Sequence, residues 1–186
     1  MHTVSVIGCG YWGPNLIRNC LALPDCGVKY VCDMDESRLI HLRDLYPTVA
    51  TTKDYKDILR DSEVEAVFIA TPVFTHFPIA LDCLQAGKHV FLEKPLTAST
   101  AEADKLIEEA SSRGLTLMVG HTFIYSSPVR KIKEIIDSGE IGDVMCISTR
   151  RLNLGLFQKD INVAWDLAPH DISIILYLLG KEPVSV

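Results

Sequence analysis

Over the first 120 positions, short apolar runs alternate with amphipathic stretches. Residues 4–7, 28–32, 66–70, 89–92 and 116–119 read as strands, with a weaker one at 49–51. Between them, helical spacing of apolar residues covers about 14–23, 36–46, 55–60, 78–86 and 100–113, and Pro14 and Pro78 suit first-turn positions. Strand and helix in strict alternation predict an α/β domain, a doubly wound parallel sheet covered by helices, over residues 1–120.

From His121 the pattern changes. A helix is expected near 129–137, then a turn at Gly139 and Gly142, a longer strand over 144–152, an irregular stretch to Val163 and a helix near 167–179. Another strand is expected to begin at 183–186. No repeat, low-complexity tract or flexible linker separates the two regions, so the second is expected to pack directly on the first. One firm strand cannot close a sheet, because sheets need several. Residues 121–186 are therefore read as the start of a truncated α+β domain, whose remainder is missing or supplied by a partner.

Composition narrows the function classes. With 186 residues the chain has room for one full core and part of another. Its net charge of -6 gives no basic patch for nucleic acid. No apolar stretch nears the ~20 residues of a membrane span, and Met1-His2-Thr3 leads straight into a strand, so a cytoplasmic protein is expected. The six cysteines show no C-x-x-C pair and lie in or beside apolar runs. They are expected to be buried free thiols, with no metal site.

The chemistry begins with Gly8-Cys9-Gly10-Tyr11-Trp12-Gly13, a G-x-G-x-x-G string between a strand and a helix. Glycines there permit a tight turn, close approach of backbone to a pyrophosphate and close helix–strand packing, while the helix N-terminus attracts the anion. Asp33 ends the second strand, where a carboxylate accepts from ribose hydroxyls and repels a 2′-phosphate, favouring NAD over NADP. Its competing use is capping the next helix, although Asp35 and Ser37 are better placed for that. Arg38 is the counterweight, since an arginine accommodates a 2′-phosphate.

Thr71 and Pro72 follow the fourth strand and would border the ribose and nicotinamide; His76 either contacts the cofactor or caps the following helix. Glu93-Lys94-Pro95 ends the fifth strand. An ammonium at the tip of a buried strand is costly without a partner or ligand, which marks Lys94 as functional rather than a surface lysine. Asp166 and His170 stand four apart and share a helix face, with Asp166 alternatively serving as N-cap and Pro169 sitting in the first turn.

Together, G-x-G-x-x-G, Asp33, A-T-P-x-x-x-H at 70–76, A-G-K-H-V-F-L-E-K-P at 86–95 and D-x-x-x-H at 166–170 resemble the glucose-fructose oxidoreductase / inositol dehydrogenase / MocA family. The resemblance covers nearly the whole chain. It implies an N-terminal Rossmann domain, a C-terminal substrate domain, and catalytic residues at Lys94, Asp166 and His170. It also implies a cis Lys94–Pro95 bond, with Glu93 and Lys94 beside the cofactor. Arg151–Gly155 and W-D-L-A-P-H-D at 165–171 are similar to members that oxidise nucleotide-linked amino sugars or sugar acids.

The expected reaction is hydride transfer between a sugar or nucleotide-sugar hydroxyl and nicotinamide. Histidine as a residue type ordinarily changes charge near neutrality, so His170 suits the proton transfer. Asp166 would orient it, and Lys94 would stabilise the developing charge on oxygen. The roles of Lys94 and His170 are exchangeable on sequence grounds. A homo-oligomer is expected for the full-length protein. The alternative expectation is a non-catalytic NAD-binding module or an inactive fragment of such an enzyme.

Overall fold

Six strands build one sheet: β1 (His2–Ile7), β2 (Cys26–Cys32), β3 (Ala50–Thr52), β4 (Ala66–Ile69), β5 (His89–Leu92) and β6 (Leu117–Val119). Their order is β3-β2-β1-β4-β5-β6, with all neighbours parallel. The computed structural model describes residues 1–152 and 161–185. Its two compact units are Met1–Gly120 and His121–Val186.

Alternation along the strands feeds two apolar layers. Val4 and Val6 of β1 pack with Ile17 of α1 (Gly13–Ala22) and Leu39 of α2 (Glu36–Leu45). Ile7, on the opposite face, packs with Ile69, Leu92, Ile58 of α3 (Tyr55–Arg60), Leu84 of α4 (His76–Gln85) and Leu106 of α5 (Thr100–Ser112). Both faces are therefore covered, as parallel sheets require. Helix starts are set locally: Asp35 accepts from the Ser37 N–H, Asp54 from the Lys56 N–H and Ser99 from the Glu102 N–H. The N-terminus of α1 carries no side-chain cap.

In the second unit a 3-10 turn (Thr122–Tyr125) precedes α6 (Ser127–Asp137) and α7 (Val163–Leu179). The Asn162 side chain caps α7 by accepting from the Trp165 N–H. Left-handed Gly180 ends the helix, its N–H donating to the Leu176 carbonyl.

Four expectations need correction here. Residues 144–152 form no strand; Met145 is 91% and Leu152 89% exposed. A strand pattern is not enough, since a ladder needs a neighbour, and the described residues of this unit offer none. No strand begins at 183–185 either, and Val186 lies outside the described residues. The same segment leaves Cys146 exposed rather than buried, and Cys26 is only half-buried, whereas Cys9, Cys20, Cys32 and Cys83 are buried. Finally, α7 begins four residues earlier than expected, so Pro169 falls inside the helix.

Candidate functional site

Parallel pairing brings every strand's carboxyl end to one edge, and backbone hydrogen bonds continue past the strands to hold the loops there. The Gly8 N–H donates to the Cys32 carbonyl, Ala70 to Ile7, Glu93 to Ile69 and Gly120 to Leu92, all at 2.8–2.9 Å. The glycine loop after β1, Thr71-Pro72 after β4 and Glu93-Lys94 after β5 thus leave adjacent strands side by side. Because β1 lies between β2 and β4, the chain winds away from it in both directions, and this reversal is where dinucleotides bind in such sheets.

The glycines of the loop divide their work. Gly8 has φ 93°, and a Cβ there would come within 2.6 Å of the Ala70 carbonyl; at Gly13 it would meet the Gly8 oxygen at 2.0 Å. Those two positions are closed by packing. At Gly10 the nearest atom is an Arg38 Nη1, 3.6 Å away, so the middle of the loop has room for a ligand. Tyr11 and Trp12, in edge contact at 5.5 Å, are exposed beside it. An uncapped helix N-terminus behind an open glycine fits a pyrophosphate.

Asp33 turns out to be a brace for this loop. Its Oδ2 accepts from the Cys9 N–H (2.7 Å) and from Arg38 Nη1 (3.2 Å), and its Oδ1 accepts from the Asp35 N–H (2.9 Å). Capping of α2 belongs to Asp35. Burial first, and the Asp33 charge second, push the neighbouring Cys9 thiol up to about 12, so it remains protonated.

His76 is 1% exposed, with Nδ1 2.9 Å from the Pro95 carbonyl and Nε2 2.9 Å from the Thr71 carbonyl. Its ring therefore ties the loop after β4 to the loop after β5. The Thr71 hydroxyl accepts from the Thr75 hydroxyl at 2.7 Å, while Pro72 is exposed. Glu93 is buried and lies over Gly120, where a Cβ would stand 3.3 Å from its carboxylate oxygens. Burial raises its carboxyl above the usual range, against the pull of the Lys94 backbone N–H and ammonium. Lys94 is half-buried, and the Lys94–Pro95 bond is cis.

In the second unit, Asp166 and His170 lie one turn apart on α7, both half-buried. With Asn162 as the cap, the capping alternative for Asp166 is corrected: the carboxylate sits in the first turn. The His170 ring meets the Phe123 ring edge-on at 4.8 Å. Arg151 lies over that same Phe123, 5.1 Å from its centroid, and donates from Nε to Asp171 Oδ2 at 2.9 Å. Sequence reading missed Phe123 and Asp171 as neighbours of His170; no spacing signal links position 123 to a helix over forty residues later. Residues 153–155 of the Arg151–Gly155 string lie outside the described residues.

Comparison with known proteins agrees with this architecture. The profile of the oxidoreductase family with an NAD-binding Rossmann fold (Gfo/Idh/MocA) matches residues 2–121, and that of the Gfo/Idh/MocA C-terminal domain matches residues 129–186. Inositol 2-dehydrogenase 2 of Saccharopolyspora erythraea is 34% identical over 98% of this chain and 55% of its own length. The crystal structure of GenD2 from gentamicin A biosynthesis, in complex with NAD, superimposes with a TM-score of 0.84 at 28% identity, over 97% of this chain and 54% of that one. The 3-ketoreductase KijD10 of Actinomadura kijaniata, in complex with NADP and TDP-benzene, gives a TM-score of 0.69 at 28% identity, over 74% and 42%. The chain spans about half the length of the curated relatives it matches. With its glycine loop, Asp33 brace and strand order all in place, the chain belongs to the Gfo/Idh/MocA family of oxidoreductases.

Proposed function

We propose that the chain forms the cofactor-binding and base-bearing part of an NAD-dependent dehydrogenase acting on a CH–OH group of a sugar or nucleotide sugar. The observation that carries this reading is the single sheet edge on which the open glycine loop, Asp33, Thr71-Pro72 and Glu93-Lys94 stand in order. NAD, when bound, supplies a hydride acceptor. Gly8, Gly10, Tyr11, Trp12, Gly13 and Asp33 would hold its adenosine and pyrophosphate end, with Thr71, Pro72, Glu93 and Lys94 toward the nicotinamide and His76 supporting both loops. His170 takes the proton from the sugar hydroxyl, Asp166 steadies the imidazole, and Lys94 donates a hydrogen bond to the reacting oxygen. The full-length protein is read as a cytoplasmic homo-oligomer.

The preference for NAD rests on Asp33, whose carboxylate would repel a 2′-phosphate, although its pairing with Arg38 moderates that repulsion. Calorimetry with both cofactors tests it: NAD should bind more tightly, and Asp33→Ala should narrow the gap. Equal affinities in the unmutated chain would refute the preference. For the reaction, this chain joined to a complete second domain should reduce NAD with some member of a sugar and nucleotide-sugar panel. Lys94→Ala and His170→Ala should each lower turnover by ~10²-fold or more with NAD affinity retained. A non-catalytic NAD-binding module is the second reading. It is favoured by the apolar side chains that the second unit leaves in solvent.

A further inference from the structure

Arg151 is linked to the His170 ring through a shared contact with Phe123. Its guanidinium lies over Phe123, whose ring in turn meets His170 edge-on, and Asp171 follows His170 on α7. The pair formed by Arg151 and Asp171 is half-buried, with side-chain exposures of 26% and 23%. Only Nε is committed, to one Asp171 oxygen at 2.9 Å. A guanidinium used purely as a structural clip usually spends its terminal fork on a carboxylate side-on. Here the two terminal nitrogens find no acceptor among the described residues. Stacking on Phe123 occupies a face of the guanidinium and leaves its in-plane N–H donors free to point elsewhere.

A planar fork held by one edge and one face, its other edge without an acceptor among the described residues, has the geometry that recognises two oxygens of a carboxylate or phosphate. We propose that Arg151 binds an oxyanion carried by the substrate, so that the protein takes an anionic sugar, a sugar acid or a sugar phosphate, rather than a neutral polyol. The inference rests on the reading of His170 as the base, because only then does an anion one ring's width from the imidazole belong to the substrate. Arg151 on this view is a specificity residue, and Phe123 and Asp171 position it.

The test uses this chain with NAD present and measures the binding of D-glucose, D-glucuronate and D-glucose 1-phosphate by ligand-observed NMR. At least one anion should bind roughly tenfold more tightly than glucose, the range expected of a charge-assisted hydrogen-bonded pair. Whichever anion it is names the source of the charge. Arg151→Leu should abolish the difference, Arg151→Lys should keep part of it, and Arg130→Leu, at a guanidinium stacked on Tyr125 instead, should leave it unchanged. Thermal unfolding of Arg151→Leu separates lost recognition from lost folding, and Arg151→Lys carries the test if that variant unfolds. Equal binding of all three sugars, no binding of either anion, or a preference that survives Arg151→Leu would overturn the inference. NAD affinity measured on the same samples keeps the two ideas apart. Failure of the unmutated chain to bind NAD would remove the underlying reading, whereas intact NAD binding with no anion preference would remove this inference alone.

Discussion

The two units solve the burial problem differently. Residues 1–120 close on themselves: both faces of the sheet are covered, and Ile17, Ile58, Val67, Ile69, Leu84 and Leu106 are completely buried. In the second unit, among the described residues, the buried apolar side chains are Val129 and Leu178, while Ile141, Met145, Leu152 and Ile172 are exposed. Helix formation in the second unit is nonetheless well specified, by Asn162 and Gly180 at the two ends of α7. Capping can be completed by a few neighbouring residues, whereas a core needs surfaces from several elements. The comparison teaches that local order and burial are separate achievements, and that the first unit has both.

The sharpest way to break this contrast is at the glycine loop. Gly13→Ala places a methyl 2.0 Å from the Gly8 oxygen, a backbone atom, so the turn itself must move. A loss of about 3 kcal/mol or more in denaturant unfolding of the first unit is expected, together with a large loss of NAD affinity. An unchanged midpoint would mean that the loop tolerates a shift the packing argues against.

Next in size is a matched pair of core truncations. Leu84→Ala in the first unit should cost about 2–5 kcal/mol, because Leu84 is completely buried between α4 and the sheet. Ile172→Ala on α7, with that side chain 54% exposed, should stay within about 0.5 kcal/mol. Similar costs at both positions would erase the distinction between the units.

A smaller effect is expected at the cap of α7. Asn162→Ala removes the acceptor for the Trp165 N–H and should cost about 1 kcal/mol, read as faster amide exchange in the first turn of α7 and nowhere in the sheet. Exchange that speeds up uniformly across the chain would argue for coupling that a simple cap does not provide.

The smallest effect concerns the buried acid of the first unit. Burial holds the Glu93 carboxyl above its ordinary value of 4.5, so the folded state binds its proton more tightly than the unfolded chain does. Its contribution to stability is greatest below the ordinary value and is lost as pH rises from there through the raised one. Glu93→Gln should flatten that part of the stability–pH profile and leave the rest of its form unchanged. A wild-type profile rising over the same window from this residue would reverse the assignment.

Much of the first unit was legible before any coordinates, because the signals are short-range. Apolar runs mark strands, Asp35 stands where a cap is needed, and the glycine spacing agrees with steric exclusion at Gly8 and Gly13. The same locality misled at 144–152, where strand-like residues are present but, among the described residues, no neighbouring strand pairs with them. It also placed Pro169 in a first turn, although Asn162, four residues ahead of Asp166, was available as the cap.

The sequence by itself determined, in the first unit, the order of strands and helices, the glycine loop and the identities of the polar residues that follow β1, β2, β4 and β5. Tertiary structure decided what those residues touch. It set Asp33 against the Cys9 N–H, His76 between the Thr71 and Pro95 carbonyls, and Arg151 and His170 on one phenylalanine ring. The physical reason is range. Periodicity and capping act over three or four residues along the chain, whereas these contacts join positions that only folding brings within reach, and nothing in their spacing announces the partner.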